Sequence, residues 1–382
     1  MLSTNHKTLL SLLGAVGALA LAIGCSSSDT TPAGTGGSAG NATPDVQCTD
    51  CVVPPAEPSG APEGDGTGAT LAIRKLFLGD ATWDGTPDTD AWKTFGYDLD
   101  GYKSTKTSTT HCKVNEGGNK AAIQTDGNNG IDNSFGYNIM PIIVGLAADA
   151  STKINENLEG GDFTIIVNVD KIGGGTSYSK LGAALFAGGK LTDATGAALA
   201  PKWDGTDEWP VYCELMTDCK ASGTKQIADG NTSNVLFPSS YVADGTWVSG
   251  SKGDVSLSLS VSGYSLSLTI RQAVLTAVLG SGNPPTSATK GVIAGVLETE
   301  ELINSLKGVA GNISTSLCEG PTFESIAQQI RAASDIMKTG TQDATATCNG
   351  ISIGLGFEMS AIKLGKVSDK TPEGTSPCPA TP

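Results

Sequence analysis

Carboxylates set at short intervals in glycine-rich loops are the residues of this chain best placed to do chemistry. They occur in four stretches: Asp80 to Asp90, Asp98-Leu99-Asp100-Gly101, Asp126 to Asn133, and Asp204-Gly205-Thr206-Asp207-Glu208. A hard cation such as calcium takes about six to eight oxygens, which closely spaced Asp, Asn and backbone carbonyl groups supply, while glycine lets the loop fold round the ion. Asp126, Asn128 and Asp132 of the third loop are the candidate calcium ligands. The same Asp-Gly and Asn-Gly pairs form ordinary turns, so a metal loop and plain turns stand as alternatives.

Paired acids beside tryptophan are a second constellation. Glycoside hydrolysis needs two carboxyls flanking one bond, and Asp84, Asp88 or Asp207 could serve near Trp83, Trp92 or Trp203, on whose faces a sugar would stack. Beyond the first 25 residues there is one histidine, His111, so any triad or zinc site must use it; His111 with Cys48, Cys51 and Cys112 is the one zinc set to weigh against disulfides. Gly36-Gly37-Ser38-Ala39-Gly40 matches a nucleophile elbow but lies in a polar tract that offers no strand-to-helix turn. Ser222-Gly223-Thr224-Lys225 and Lys338-Thr339-Gly340 match serine-enzyme motifs by chance, without their Ser-Asp-Asn partner.

The elements that must position these loops read as mainly β. Val255, Leu257, Leu259 and Val261 alternate with serines, the parity flips at Ser262-Gly263, and Tyr264, Leu266, Leu268 and Ile270 alternate onward. A two-residue turn then sets Val261 opposite Tyr264 and Val255 opposite Ile270, with a serine-rich wet face behind. Strands are expected at Leu71–Leu78, Phe163–Val169, Ala273–Leu279, Val292–Leu297 and Ile351–Ile362. Helices are expected from Asn138 to Leu158, ended by Gly160-Gly161, from Thr299 to Ala310, and from Thr322, as N-cap, to Met337. The expectation is an antiparallel, jelly-roll-like β-sandwich with a few helices, as one domain over 69–378.

The first residues give location. An apolar run from Thr8 to Gly24 follows Lys7 and yields to Ser26-Ser27-Ser28-Asp29, which reads as an export signal over 1–24. Ala22-Ile23-Gly24-Cys25 resembles the lipobox of bacterial lipoproteins, with Ala22 where leucine is usual, and makes Cys25 the lipidation site; cleavage after Ala18-Leu19-Ala20 is the alternative. Residues 25–68 are Ser, Thr, Gly, Pro and Ala, expected as a flexible linker in which Cys48-Thr49-Asp50-Cys51 marks a local knot. Of nine cysteines, Cys25 goes to lipid and an even set remains for disulfides; Cys213 with Cys219 and Cys318 with Cys348 are the expected pairs. The formal charge of −15 repels phosphate backbones and argues against nucleic acid as a partner.

Gly130-Ile131-Asp132-Asn133 resembles acidic calcium loops of extracellular proteins, though Ile131 and Tyr137 stand where an EF-hand has its glycine and glutamate. Trp92 to Gly101, Gly130 to Gly136 and Cys348 to Phe357 together resemble uncharacterised surface lipoproteins of myxobacterial type. That resemblance implies the Gram-negative envelope and carries no catalytic residue; Ser26-Ser27 after the cysteine resembles sorting to the outer membrane. The expected protein is a lipid-anchored, non-catalytic binding or structural module, with glycan, matrix or another envelope protein as partner. A secreted carbohydrate-active hydrolase is the alternative.

Overall fold

A computed structural model describes residues 47–120, 125–216, 233–250, 252–261, 264–313, 317–318 and 320–368. Its centre is a strand in which large and small side chains alternate. In β10 (Gly350–Ala361), Ile351, Ile353, Leu355, Phe357 and Met359 are buried on one face, while Gly350, Ser352, Gly354 and Gly356 make up the other. The first face enters the main core; the second lets a loop layer come close.

Seven further strands join it. They are β1 (Ala69–Phe77), β2 (Thr164–Val169), β3 (Tyr178–Gly188), β5 (Val235–Ala243), β6 (Thr246–Val248), β8 (Tyr264–Leu279) and β9 (Ser287–Glu298). Each pairs antiparallel with its neighbour in the order β3-β2-β1-β10-β9-β8-β6-β5. β5 then pairs back onto β3, through Tyr178 with Val242 and Ala183 with Phe237, so the sheet closes into an eight-stranded barrel. This corrects the sandwich expectation: both architectures show the same alternation, and the deciding contacts, such as Ala183 with Phe237, join residues more than fifty positions apart in the chain. β4 (Glu208–Tyr212) and β11 (Lys363–Ser368) extend the sheet from β3, and β7 (Gly253–Val261) pairs β8.

Closing a sheet requires it to bend, and bulges supply the bend. Lys180, Gln272 and Lys290 have φ of 50°, 52° and 46°, the left-handed region, and each sits where the ladder register shifts. The inward core draws on all eight strands, including Leu71, Val167, Leu185, Phe237, Trp247, Ile270, Ile293 and Leu355. Two helices near the C-terminal half, α3 (Thr299–Ile313) and α4 (Pro321–Ala332), add Leu302, Leu306, Phe323 and Ile330 to it.

The hairpin of β7 and β8 has the expected register, with Val261 opposite Tyr264, Leu259 opposite Leu266, Leu257 opposite Leu268 and Val255 opposite Ile270. The expected helix over 138–158 divides. A π-turn at Phe135–Ile139 leads into α1 (Met140–Leu146), Ala147 is extended, and α2 (Ala150–Gly160) follows, ended by Gly161 at φ 83°. The helix expected to run to Met337 stops at Ala332, and its N-cap is Gly320 rather than Thr322.

Residues 47–68 lie along the barrel ahead of the expected boundary at 69. Gly66 and Gly68 donate to the carbonyls of Lys171 and Ile172, Ser179 donates to Pro62, and the Tyr241 hydroxyl bonds the Pro55 carbonyl at 2.5 Å. The knot expected at Cys48–Cys51 is a disulfide. Cys348 bonds Cys112, not Cys318, which corrects the second expected pair: a long-range bridge ties the loop layer to the start of β10. Cys213 and Cys318 are disulfide-bonded as well; Cys219, the partner expected for Cys213, and Cys25 lie outside the described residues.

Candidate metal centre

The outward glycine face of β10 decides where the acidic loops sit. A Cβ on Gly354 would strike the Phe95 carbonyl, and one on Gly356 would lie 2.5 Å from the Phe95 ring. With both positions bare, Phe95-Gly96 and Asn133-Ser134 lie directly on the strand. β1 pairs with β10 no further than Phe77 opposite Gly356, and side chains complete the strand beyond that point. Asn133 bonds both the N–H and the carbonyl of Gly354, and Asp335 accepts the Ser352 N–H at 2.8 Å and its hydroxyl at 2.5 Å. Ser352 Oγ in turn accepts the Ser134 N–H at 2.8 Å.

These anchors bring two acidic loops together. The Asp132 N–H donates to the Tyr97 carbonyl at 3.1 Å, and Asp132 Oδ2 accepts the Leu99 N–H at 2.7 Å. Carboxylate oxygens of Asp98, Asp100 and Asp132 then lie within 4.8 Å of one another. Backbone groups steer each one: Gly101 N–H to Asp98 at 2.7 Å and Tyr102 N–H to Asp100 at 2.8 Å, beside the Leu99 bond to Asp132. Asp126 joins from the same side, accepting the Ser104 N–H at 2.5 Å. Asp126, Asp132 and Asp335 share a small pocket with Trp92, Asn133 and Tyr137.

Proximity and burial raise the affinity of these groups for protons. Burial, reinforced by the Asp100, Asp335 and Asp98 carboxylates, pushes Asp126 up to about 9 against the Ser104 bond. Burial also holds Asp132 well above the usual carboxylate range, with Asp100 and Asp126 adding to it. Asp335 is pushed up to about 7 by burial, and burial raises Asp98. Such a cluster favours added positive charge, whether protons or a cation.

Of the residues expected to bind calcium, Asp126 and Asp132 belong to the cluster, whereas Asn128 is exposed on a short 3-10 turn. Asp98 and Asp100 stand out in the sequence as a separate loop some thirty residues earlier, with nothing to join the two. Asp335 carries no signal there, because it falls inside the helix expected to run to Met337, whereas the structure ends that helix at Ala332.

The acids expected to serve a hydrolase are committed to turns. Asp84 is held down to about 2 by its bonds from the Thr82 hydroxyl and Thr86, the reverse of what a general acid needs. Asp88 accepts the Asp90 N–H, and Asp207 accepts those of Lys202 and Trp203. The indoles pack on protein rings: Trp83 on Phe95 at 4.6 Å, Trp92 on Tyr137 at 4.5 Å and Trp203 on Trp209 at 5.1 Å. The zinc set fails because Cys48, Cys51 and Cys112 are all in disulfides. Lys338-Thr339-Gly340 forms the turn after α4, and Ser222 to Lys225 lies outside the described residues.

Comparison with protein-family models, curated proteins and solved structures finds no match to the chain.

Proposed function

We propose that the protein is a lipid-tethered domain of the bacterial cell envelope that binds or braces rather than catalyses. The observation that carries this reading is the use of cysteine: all six described cysteines are in disulfides, as suits an oxidising compartment, and Cys25 stands in a lipobox-like setting. The barrel supports attachment through a lipid. Transmembrane barrels turn apolar residues outward to lipid and polar ones inward. Here Leu, Ile, Val and Phe fill the interior, and the outer face of β10 carries glycine, serine and a layer of loops. The engagement of Asp84, Asp88 and Asp207 in turns supports the non-catalytic half, and the partner is a glycan, the matrix or another envelope protein.

Metabolic labelling with a clickable fatty acid tests the tether. The full chain takes up label and partitions with membranes, and Cys25→Ala abolishes both. Absence of label on the unaltered chain, or fully reduced cysteines in the expressed protein, overturns the reading. Release of reducing sugar from polysaccharides by the purified chain overturns the non-catalytic half.

A further inference from the structure

We infer that Asp98, Asp100 and Asp132, with Asp126 beside them, hold a calcium ion between the loop layer and the outer wall of the barrel. The inference stands apart from the lipid tether and from any partner.

The first support is geometric. Calcium–oxygen distances of about 2.3–2.6 Å place all ligands on a shell about 4.6–5.2 Å across. Carboxylate oxygens of Asp98, Asp100 and Asp132 fall within 4.8 Å of one another, comparable to the span of such a shell, so one ion can sit among all three. Magnesium, at about 2.0–2.1 Å and strictly octahedral, requires a tighter shell. Each carboxylate is also aimed by a backbone N–H, from Gly101, Tyr102 and Leu99 respectively. An N–H on one oxygen of an acid fixes the direction of the other, the device by which oxygen cages are pre-set.

The second support comes from donors and hydroxyls that lack partners. Trp92 is 3 % exposed and lines the pocket shared by Asp126, Asp132 and Asp335, yet its indole N–H has no hydrogen-bond partner among the described residues. Leaving a buried donor unpaired is unfavourable, so the pocket calls for an acceptor. It has room for about one water molecule. A water bound to the ion would present its oxygen lone pair to the indole and so account for both. The Ser104 hydroxyl, 4 % exposed and beside Asp126, is likewise buried without a partner among the described residues, and its oxygen is of the type calcium takes.

The fit to the fold is direct. Asp98 and Asp100 belong to the loop held by Gln47 to Val52, Asp132 precedes the Asn133 anchor on β10, and an ion among them ties the N-terminal segment to the barrel wall.

Terbium, which replaces calcium and is excited by a nearby tryptophan, tests the site in the purified full chain. Tryptophan excitation gives terbium emission that added calcium displaces. Trp92→Phe loses most of that emission while calcium still raises the melting temperature. Asp98→Asn keeps the oxygen that accepts the Gly101 N–H and therefore folds, and it weakens calcium affinity by at least about tenfold, as does Asp132→Asn. Emission that calcium does not displace, equal calcium affinity in Asp98→Asn and the unaltered chain, or a larger response to magnesium than to calcium overturns the proposal.

Discussion

The side-chain amide of Asn133 pairs with the backbone of Gly354 as a neighbouring strand would, its Oδ1 accepting the Gly354 N–H at 3.0 Å and its Nδ2 donating to the Gly354 carbonyl at 3.0 Å. The same amide donates to the Trp92 and Phe95 carbonyls and accepts the Gly136 N–H. One buried side chain thus joins the loop layer to the barrel. Asn133→Leu, close in volume, leaves several of these backbone groups unpaired and lowers unfolding free energy in urea by about 3 kcal/mol or more. Unchanged stability would mean that the backbone finds other partners.

Gly354→Ala places a methyl against the Phe95 carbonyl and costs about 2 kcal/mol or more, because the obstacle is backbone and cannot swing aside. Gly253→Ala is the control: a Cβ there meets nothing within 4 Å, and stability holds or rises by about 0.5 kcal/mol. Equal unfolding midpoints for the two variants would remove the close-approach account of β10.

Burial raises the Asp335 carboxyl to about 7, with Asp100 as the charged group acting on it, so the folded chain holds its proton more tightly than the unfolded chain does. Its contribution to stability is complete below the ordinary carboxylate value and is lost as pH rises through about 7. In chelator, the melting temperature of the unaltered chain therefore falls between about pH 4 and pH 7. Asp335→Asn flattens that slope, while its side-chain oxygen still accepts the Ser352 N–H. An identical slope in this variant would assign the fall to other groups.

Lys290 lies exposed in β9 at φ 46°, a conformation that costs an L-residue about 1 kcal/mol and glycine nothing. Lys290→Gly should raise stability by about 0.5 kcal/mol despite the added freedom of the unfolded chain, and Lys290→Val should lower it by about 1 kcal/mol or more. Denaturant curves of the pair measure both signs at once.

Local pattern was legible in the sequence, and distant pairing was not. Register between Val255 and Ile270 follows from a period of two and a short turn, so eight residues name their partners. The contact that makes a barrel, Ala183 with Phe237, joins two ordinary alternating stretches whose residues do not announce one another. Cysteine pairing failed for the same reason: bracketing a helix favours Cys318 for Cys348, but the fold brings Cys112 across 236 residues. At the acidic cluster, Asp126 and Asp132 were visible as neighbours in one loop. Joining them to Asp98 and Asp100 required the glycine face of β10, whose alternation with Ile and Leu shows a strand without showing what lies against it.

The bonds of the first described residues define a path for mechanical load. Gln47 bridges to Tyr102, the Cys48 N–H bonds the Gly101 carbonyl, and Val52 bonds Asn129 and Asp98. Tension applied at Gln47 therefore reaches the Asp98–Tyr102 loop and the Asn129 turn before it reaches any strand of the barrel. The loops carrying the carboxylates act as a shear coupling, and whatever stiffens them sets the force at which the domain begins to yield.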